Sequence, residues 1–240
     1  MHRALVVMTL VLLLAACGRS AREPTPAWPA PAPSPGPVRS GDGLIDQPID
    51  SGTRARIQRS AADLSQCVAA LEEARINFVP SPDRMNTETC GLRSAGVLGP
   101  DMGTVARLNP AAPTMSCETA LGLSVWRRQS LEPAAREILG SDVVQIDHFG
   151  TYACRGINGR AGARPSAHSM AAAIDIGGFR LRDGRRITVL ADWSGDDAAA
   201  RFLRRIRDEA CKVFGTTLSP DYNVEHRDHL HMEPAGRFCA

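Results

Sequence analysis

Leu64, Cys67, Val68 and Leu71 recur at helical spacing and predict an amphipathic helix near the start of a folded domain. Ile76-Asn77-Phe78-Val79 reads as a strand stopped by Pro80, residues 81–95 as a loop, and Val97-Leu98 and residues 105–108 as short strands between Gly and Pro. Residues 117–138 read as mostly helical, with Ala120, Leu121, Leu123 and Trp126 on the buried side. Pro133 opens a second helical piece that stops near Gly140. Val143, Val144 and Ile146 mark a strand, extended structure continues through residues 151–154, and the Gly- and Arg-rich residues 156–165 form a loop that borders a cleft. Residues 173–179 are a strand, Arg182-Asp183-Gly184-Arg185 a hairpin turn, and residues 188–190 the return. Ser194 is the expected cap of a helix whose packed stripe is Phe202, Ile206, Ala210 and Val213. Residues 229–233 are the last strand. Helices followed by clustered short strands predict an α+β fold: one domain, a small antiparallel sheet and helices packed on one side of it.

The first residues follow a different pattern. His2-Arg3 precedes an apolar run over residues 4–14, too short for a comfortable membrane span, and Leu14-Ala15-Ala16-Cys17 resembles a bacterial lipobox. The expected division is a lipoprotein signal over residues 1–17 with Cys17 lipidated, a Pro-rich tether over 18–55 and the folded domain over 56–240. Prolines between Pro24 and Pro37 alternate mostly with small residues and favour polyproline II. At ~3 Å per residue, about 25 residues reach on the order of 75 Å, enough to carry a domain from a membrane toward the murein layer. Gly18 follows Cys17, with no retention aspartate, which favours the outer membrane. The expected location is therefore the periplasmic face of a bacterial envelope.

Charge and cysteine content narrow the chemistry. Net charge is +2 and only 5% of residues are aromatic, which leaves little for binding nucleic acid. Arg201, Arg204, Arg205 and Arg207 read as a solvated helix face. Beyond Cys17 there are six cysteines, an even number in an exported domain, which predicts three disulfides. The expected pairs are Cys67–Cys90, Cys117–Cys154 and Cys211–Cys239. No Cys-x-x-Cys pair suggests a thiolate metal site.

Candidate chemistry gathers in two stretches. His168 and Asp175 lie in one, with the small apolar run Ser-Met-Ala-Ala-Ala-Ile between them; His229 and His231 lie in the other. Alternate residues of a strand share a face, so the two histidines point the same way, one as ligand and one beside the metal. Two imidazoles and a carboxylate with a fourth position open match the ligand count of a catalytic zinc. A single histidine carries no such weight: His148, beside Asp147, is read as structural, and Trp126 as core.

Gly150-Thr151-Tyr152-Ala153-Cys154-Arg155, Ser166-x-His168-x6-Asp175-Ile176, Asp192-Trp193 and Asn223-x-x-His226-Arg227-Asp228-His229-Leu230-His231 together resemble the bacterial extensin-like C-terminal domain family. That family is grouped with the LAS metallopeptidases, which include lysostaphin-type peptidases, D-Ala-D-Ala carboxypeptidases and the hedgehog domain. The resemblance spans roughly residues 60–240. It implies one zinc ion held by His168, Asp175 and His231, with His229 stabilising an oxyanion or shuttling a proton. A dipeptidase-like pattern makes Asp228 the general base and a hedgehog-like pattern makes it Glu225; Asp228 is favoured, and orienting a histidine is its other possible role. Ala171 stands where many carboxypeptidase relatives have Gly. Tyr152 and Arg155 resemble the element that holds a substrate carboxylate, though Ala153 and Cys154 intervene, and Ser166 joins them as a substrate-binding candidate. The implied function is a monomeric, lipid-anchored zinc peptidase cleaving peptidoglycan stem peptides or cross-links. The alternatives are a non-catalytic envelope lipoprotein that binds murein or a protein partner, and a structural spacer between membrane and wall.

Overall fold

The computed structural model describes residues 43–160 and 162–240. The expected leader, Cys17 and the Pro-rich run lie outside the described residues.

The folded body begins before the expected boundary at residue 56. Ile45 is 1% exposed within the core, and Asp46 pairs with the buried Arg128 at 2.9 Å. Residues 44–55 are therefore fixed by burial and charge and are not tether. Helix α1 (Thr53–Ala61) buries only Thr53 and Ile57 from an otherwise polar sequence. Helix α2 (Leu64–Glu73) starts at Asp63, whose carboxylate accepts the Ser65 and Gln66 amides, and it buries Cys67 and Leu71.

Strand β1 (Ile76–Pro80) follows as expected. The stretch expected as loop holds a hairpin, β2 (Arg84–Thr87) and β3 (Cys90–Leu92); β2 is exposed throughout, so no alternation announces it. Strand β4 (Ala95–Asp101) pairs with β1, β5 (Arg107–Asn109) joins the larger sheet, and β6 (Thr114–Ser116) pairs with β4. Helix α3 (Cys117–Trp126) is buried nearly all round and continues through wider turns and α4 (Glu132–Ala134) to Leu139; Gly140 ends it in the left-handed region at φ 66°.

Next come β7 (Val143–Gly150), β8 (Ile174–Leu181) and β9 (Arg186–Thr188). The return strand thus ends at Thr188, which caps the short helix α5 (Val189–Asp192). Asp197, not Ser194, caps helix α6 (Ala198–Val213), accepting the Ala200 N–H at 2.8 Å. Its buried stripe is the expected one, and Arg201 and Arg205 face solvent. The chain ends in β10 (Thr216–Leu218), β11 (Leu230–Glu233) and β12 (Phe238–Cys239).

The larger sheet runs β12-β10-β11-β8-β7-β5, with β9 also on β8. It is mixed, not purely antiparallel: β5 lies parallel to β7 and β12 parallel to β10. The connection from β5 to β7 contains α3, the kind of crossover a parallel pair needs. The fold is α+β in one body, as expected. One face of the sheet presents Ile174, Ile176, Phe179, Leu230 and Met232 to a core shared with Trp126 and Phe202. Among the described residues no helix is long and apolar enough to cross a membrane.

The disulfides are Cys67–Cys117, Cys90–Cys154 and Cys211–Cys239. The third is the expected one and ties β12 to α6. The first two correct the expected pairing, because chain neighbours are not spatial neighbours here. Cys67 of α2 packs in the core against the first residue of α3, and Cys90 of the hairpin meets the segment after β7. Three disulfides fit an oxidising, extracytoplasmic compartment.

Candidate metal centre

The uncovered face of the sheet carries the site. Asp175 lies between the core residues Ile174 and Ile176, so alternation turns it away from the helices. His231, between Leu230 and Met232, is its direct partner across the β8–β11 ladder. His168 arrives on the turn Ala167–Met170. Ser166 caps that turn, its hydroxyl accepting the His168 N–H at 3.4 Å, and Ala171 closes it in the left-handed region at φ 54°. The position where the resemblance expects Gly is thus one that favours Gly.

His168, Asp175 and His231 each bring one ligand-type atom to within 4.8 Å of the others. His168 Nε2 lies 3.0 Å from Asp175 Oδ2 and 3.3 Å from His231 Nδ1, and His231 Nδ1 lies 2.8 Å from Asp175 Oδ1. The outer nitrogens are engaged. His168 Nδ1 donates to the Thr151 carbonyl at 3.3 Å, and His231 Nε2 donates to Glu233 Oε2 at 3.1 Å. With Nδ1 protonated, neutral His168 turns a lone pair inward. Two inner nitrogens and a carboxylate then converge, and a proton or a cation relieves their repulsion. Without a metal the proton resides on His231. Burial pushes its pKa down, but Asp175 and Glu233 outweigh this and raise it to about 9. Burial pushes Asp175 up, yet His168 and His231 hold its carboxyl far below the ordinary range. Two imidazoles and a carboxylate with oriented outer nitrogens are a donor set that suits a divalent transition ion.

The cluster lies on an open cavity of about 960 Å³. His229 stands beside it, with Nε2 3.7 Å from Asp175 Oδ1. Its Nδ1 donates to Asp228 Oδ1 at 2.8 Å, a contact made possible by a turn at residues 227–228. Glu225 lies at the rim, paired with Arg160 at 3.0 Å. Arg155 Nη2 comes within 3.6 Å of Asp175 Oδ2. The loop over residues 156–165 borders the cavity through Ile157, Asn158 and Pro165, as expected.

Three residues differ from their expected places. Tyr152 does not line the cavity; its hydroxyl accepts from Asn86 Nδ2 at 2.8 Å, beside the Cys90–Cys154 disulfide. Ser166 reaches the cavity wall, but its hydroxyl serves the turn that carries His168. Trp193 is removed from the metal cluster: its indole N–H donates to Asp221 Oδ1 at 2.8 Å and braces the segment leading to Asn223. His148 is structural as expected, buried with Nε2 donating to the Pro110 carbonyl.

Glu233 and the Thr151 carbonyl have no counterpart among the residues expected from sequence. Glu233 was accessible to such reasoning, since a residue two positions from His231 on a strand shares its face. His226 also lines the cavity. Burial, with His229 and His231 nearby, lowers its pKa to about 4.

Residues 65–240 match the family described as Extensin-like protein C-terminus. No curated protein and no solved structure matches the chain.

Proposed function

This chain belongs to the extensin-like C-terminal family, and from that membership and the His168–Asp175–His231 cluster we propose that it is a zinc-dependent peptidase of the LAS type acting on the peptide part of peptidoglycan. The observation that carries the reading is the convergence of two imidazole nitrogens and a carboxylate on the floor of the cavity, with both outer nitrogens engaged. Zinc held by these three residues would supply a Lewis acid that lowers the pKa of water and polarises a carbonyl.

The chain's own groups do the rest. Asp228 accepts the Nδ1 proton of His229 and so keeps the Nε2 lone pair turned toward the cluster. This is the orientation of a general base held in one tautomer. His229 takes the proton of the water adding to the scissile carbonyl and returns it to the leaving amine. Glu225, held by Arg160, keeps the rim of the cavity. The Arg155 side chain is 37% exposed beside Asp175, and its forked donors suit a substrate carboxylate or carbonyl. Lipidation at Cys17 and the Pro-rich run would anchor the domain at the outer membrane and let it reach the wall.

The test is to incubate the oxidised, zinc-loaded chain with sacculi and defined muropeptides, with and without chelator, and to read products by mass spectrometry. New chelator-sensitive peptide termini, missing with His231→Ala, are expected and would identify the bond. A folded, zinc-occupied chain that cleaves nothing would leave a murein- or partner-binding lipoprotein as the better reading.

A further inference from the structure

Three aromatic side chains are well exposed among the described residues: Phe149 at 62%, Tyr222 at 46% and Phe238 at 48%. The other described Phe, Tyr and Trp side chains are buried or half-buried. All three exposed rings gather around the histidines of the cavity. Phe149 packs edge-on to His229 at 5.9 Å, Tyr222 lies 5.5 Å from His226, and Phe238 packs edge-on to Tyr222 at 5.2 Å. Rings kept in water at one place on a surface mark a contact surface rather than a core.

His226 makes this wall specific. Asn223 Oδ1 accepts two bonds, from the His226 backbone N–H at 3.2 Å and from its ring Nδ1 at 2.6 Å. A backbone N–H can only donate, so that Asn223 atom is the oxygen, and Nδ1 must carry the ring proton. Nε2 is then a bare acceptor. It has no hydrogen-bond partner among the described residues, although the side chain lines the cavity and the residue is only 7% exposed. A buried acceptor aimed into a cavity calls for a donor from outside. His226 is also outside the set of converging ligand atoms, so the metal does not account for it.

We propose that Tyr222 and His226 form a substrate-binding wall, with His226 Nε2 accepting a backbone amide N–H of the peptide and the Tyr222 ring, backed by Phe238, packing on the adjoining small apolar side chain. This deepens the peptidase reading and rests on it for the substrate class. An extended peptide offers the two complements in sequence, an N–H donor and an apolar group beside it. Both residues are positioning residues, and neither holds metal or moves a proton.

Binding of a defined muropeptide to the oxidised, zinc-loaded full chain tests this by calorimetry, alongside bound-metal content and the ¹⁵N shift of His226 Nε2. His226→Ala and Tyr222→Ala should each weaken binding about tenfold, the scale of one hydrogen bond or aromatic contact, at unchanged metal content. His226→Gln, which restores an acceptor, and Tyr222→Phe, which keeps the ring, should recover most of the loss, and the Nε2 shift should move on binding. Undiminished affinity in both alanine variants, or loss of metal in His226→Ala, overturns the wall. A wild type that cleaves while the alanine variants bind normally sinks this inference alone. A wild type that binds with the predicted dependence yet never cleaves sinks only the peptidase reading. A wild type that binds no muropeptide sinks both.

Discussion

His231 donates through Nε2 to Glu233 Oε2 at 3.1 Å, and that bond turns its other nitrogen onto Asp175. The two side chains share a face because they are two apart on β11. Glu233 thus fixes which nitrogen of His231 meets a metal and makes that nitrogen more basic. Glu233→Ala should lower metal affinity by about 10–100-fold, and Glu233→Gln, which keeps an acceptor, by less. Competition against a chromophoric chelator measures both; equal affinity in wild type and Glu233→Ala would remove Glu233 from the site.

A proton and a metal compete for His231. Its pKa in the metal-free fold is raised from 6.5 to about 9, so the stability it contributes is complete below pH 6.5 and is lost as pH rises through about 9. Asp175 has the opposite sign: its depressed pKa contributes stability above its ordinary value of 3.8, lost only as pH falls below it. The chelated chain should therefore unfold at lower temperature as pH is raised from 6.5 to 9. Metal binding near neutral pH should release a proton, and apparent affinity should climb over the same interval. Calorimetry in buffers of differing ionisation enthalpy reads the proton; zero release at pH 7 contradicts the assignment.

Asp228 acts through His229 in the proposed mechanism. Asp228→Asn should keep the metal and lower kcat by about 10²–10⁴, since the amide no longer enforces the Nδ1-protonated tautomer. Glu225→Gln should leave kcat within a few-fold, because that carboxylate is engaged by Arg160 at the rim. If Glu225→Gln is the severe variant and Asp228→Asn the mild one, the base has been placed on the wrong residue.

Much of this site was legible because strands carry a period of two. Asp175 between Ile174 and Ile176, and His231 between Leu230 and Met232, reveal their facing from sequence. The same rule fails at Tyr152. Strand β7 shifts register between Asp147 and His148 and again between His148 and Gly150, and each irregularity upsets the alternation of the residues C-terminal to it. The chain thus leaves β7 with Tyr152 turned to Asn86 while Arg155 reaches the cavity. The Cys67–Cys117 and Cys90–Cys154 pairs depend on contacts 50 and 64 residues apart, which no local pattern encodes. The hairpin of β2 and β3 and the helix α1 were hidden for a simpler reason: they bury too little to leave a hydrophobic signature.

The early start of the folded body rests on Arg128. Its side chain is buried and donates to Asp46 at 2.9 Å, to Asp101 and to the Ala74 carbonyl at 2.6 Å. This ties the segment before α1 to α3, the end of α2 and β4. Removing one partner of a buried charge leaves the other without its full compensation, at a cost of about 3–5 kcal/mol. Ile45 adds the burial of an apolar side chain, about 2–5 kcal/mol on truncation to Ala. Against a typical total of about 5–15 kcal/mol, either loss is large. Asp46→Ala and Ile45→Ala should each lower the urea midpoint, and a chain begun at residue 56 should be less stable than either. Asp46→Asn should be milder, since its amide oxygen still accepts from the guanidinium. A chain begun at residue 56 that unfolds at the same urea concentration as one begun at residue 43 would show residues 43–55 to be tether after all, and the Asp46–Arg128 pair to be dispensable.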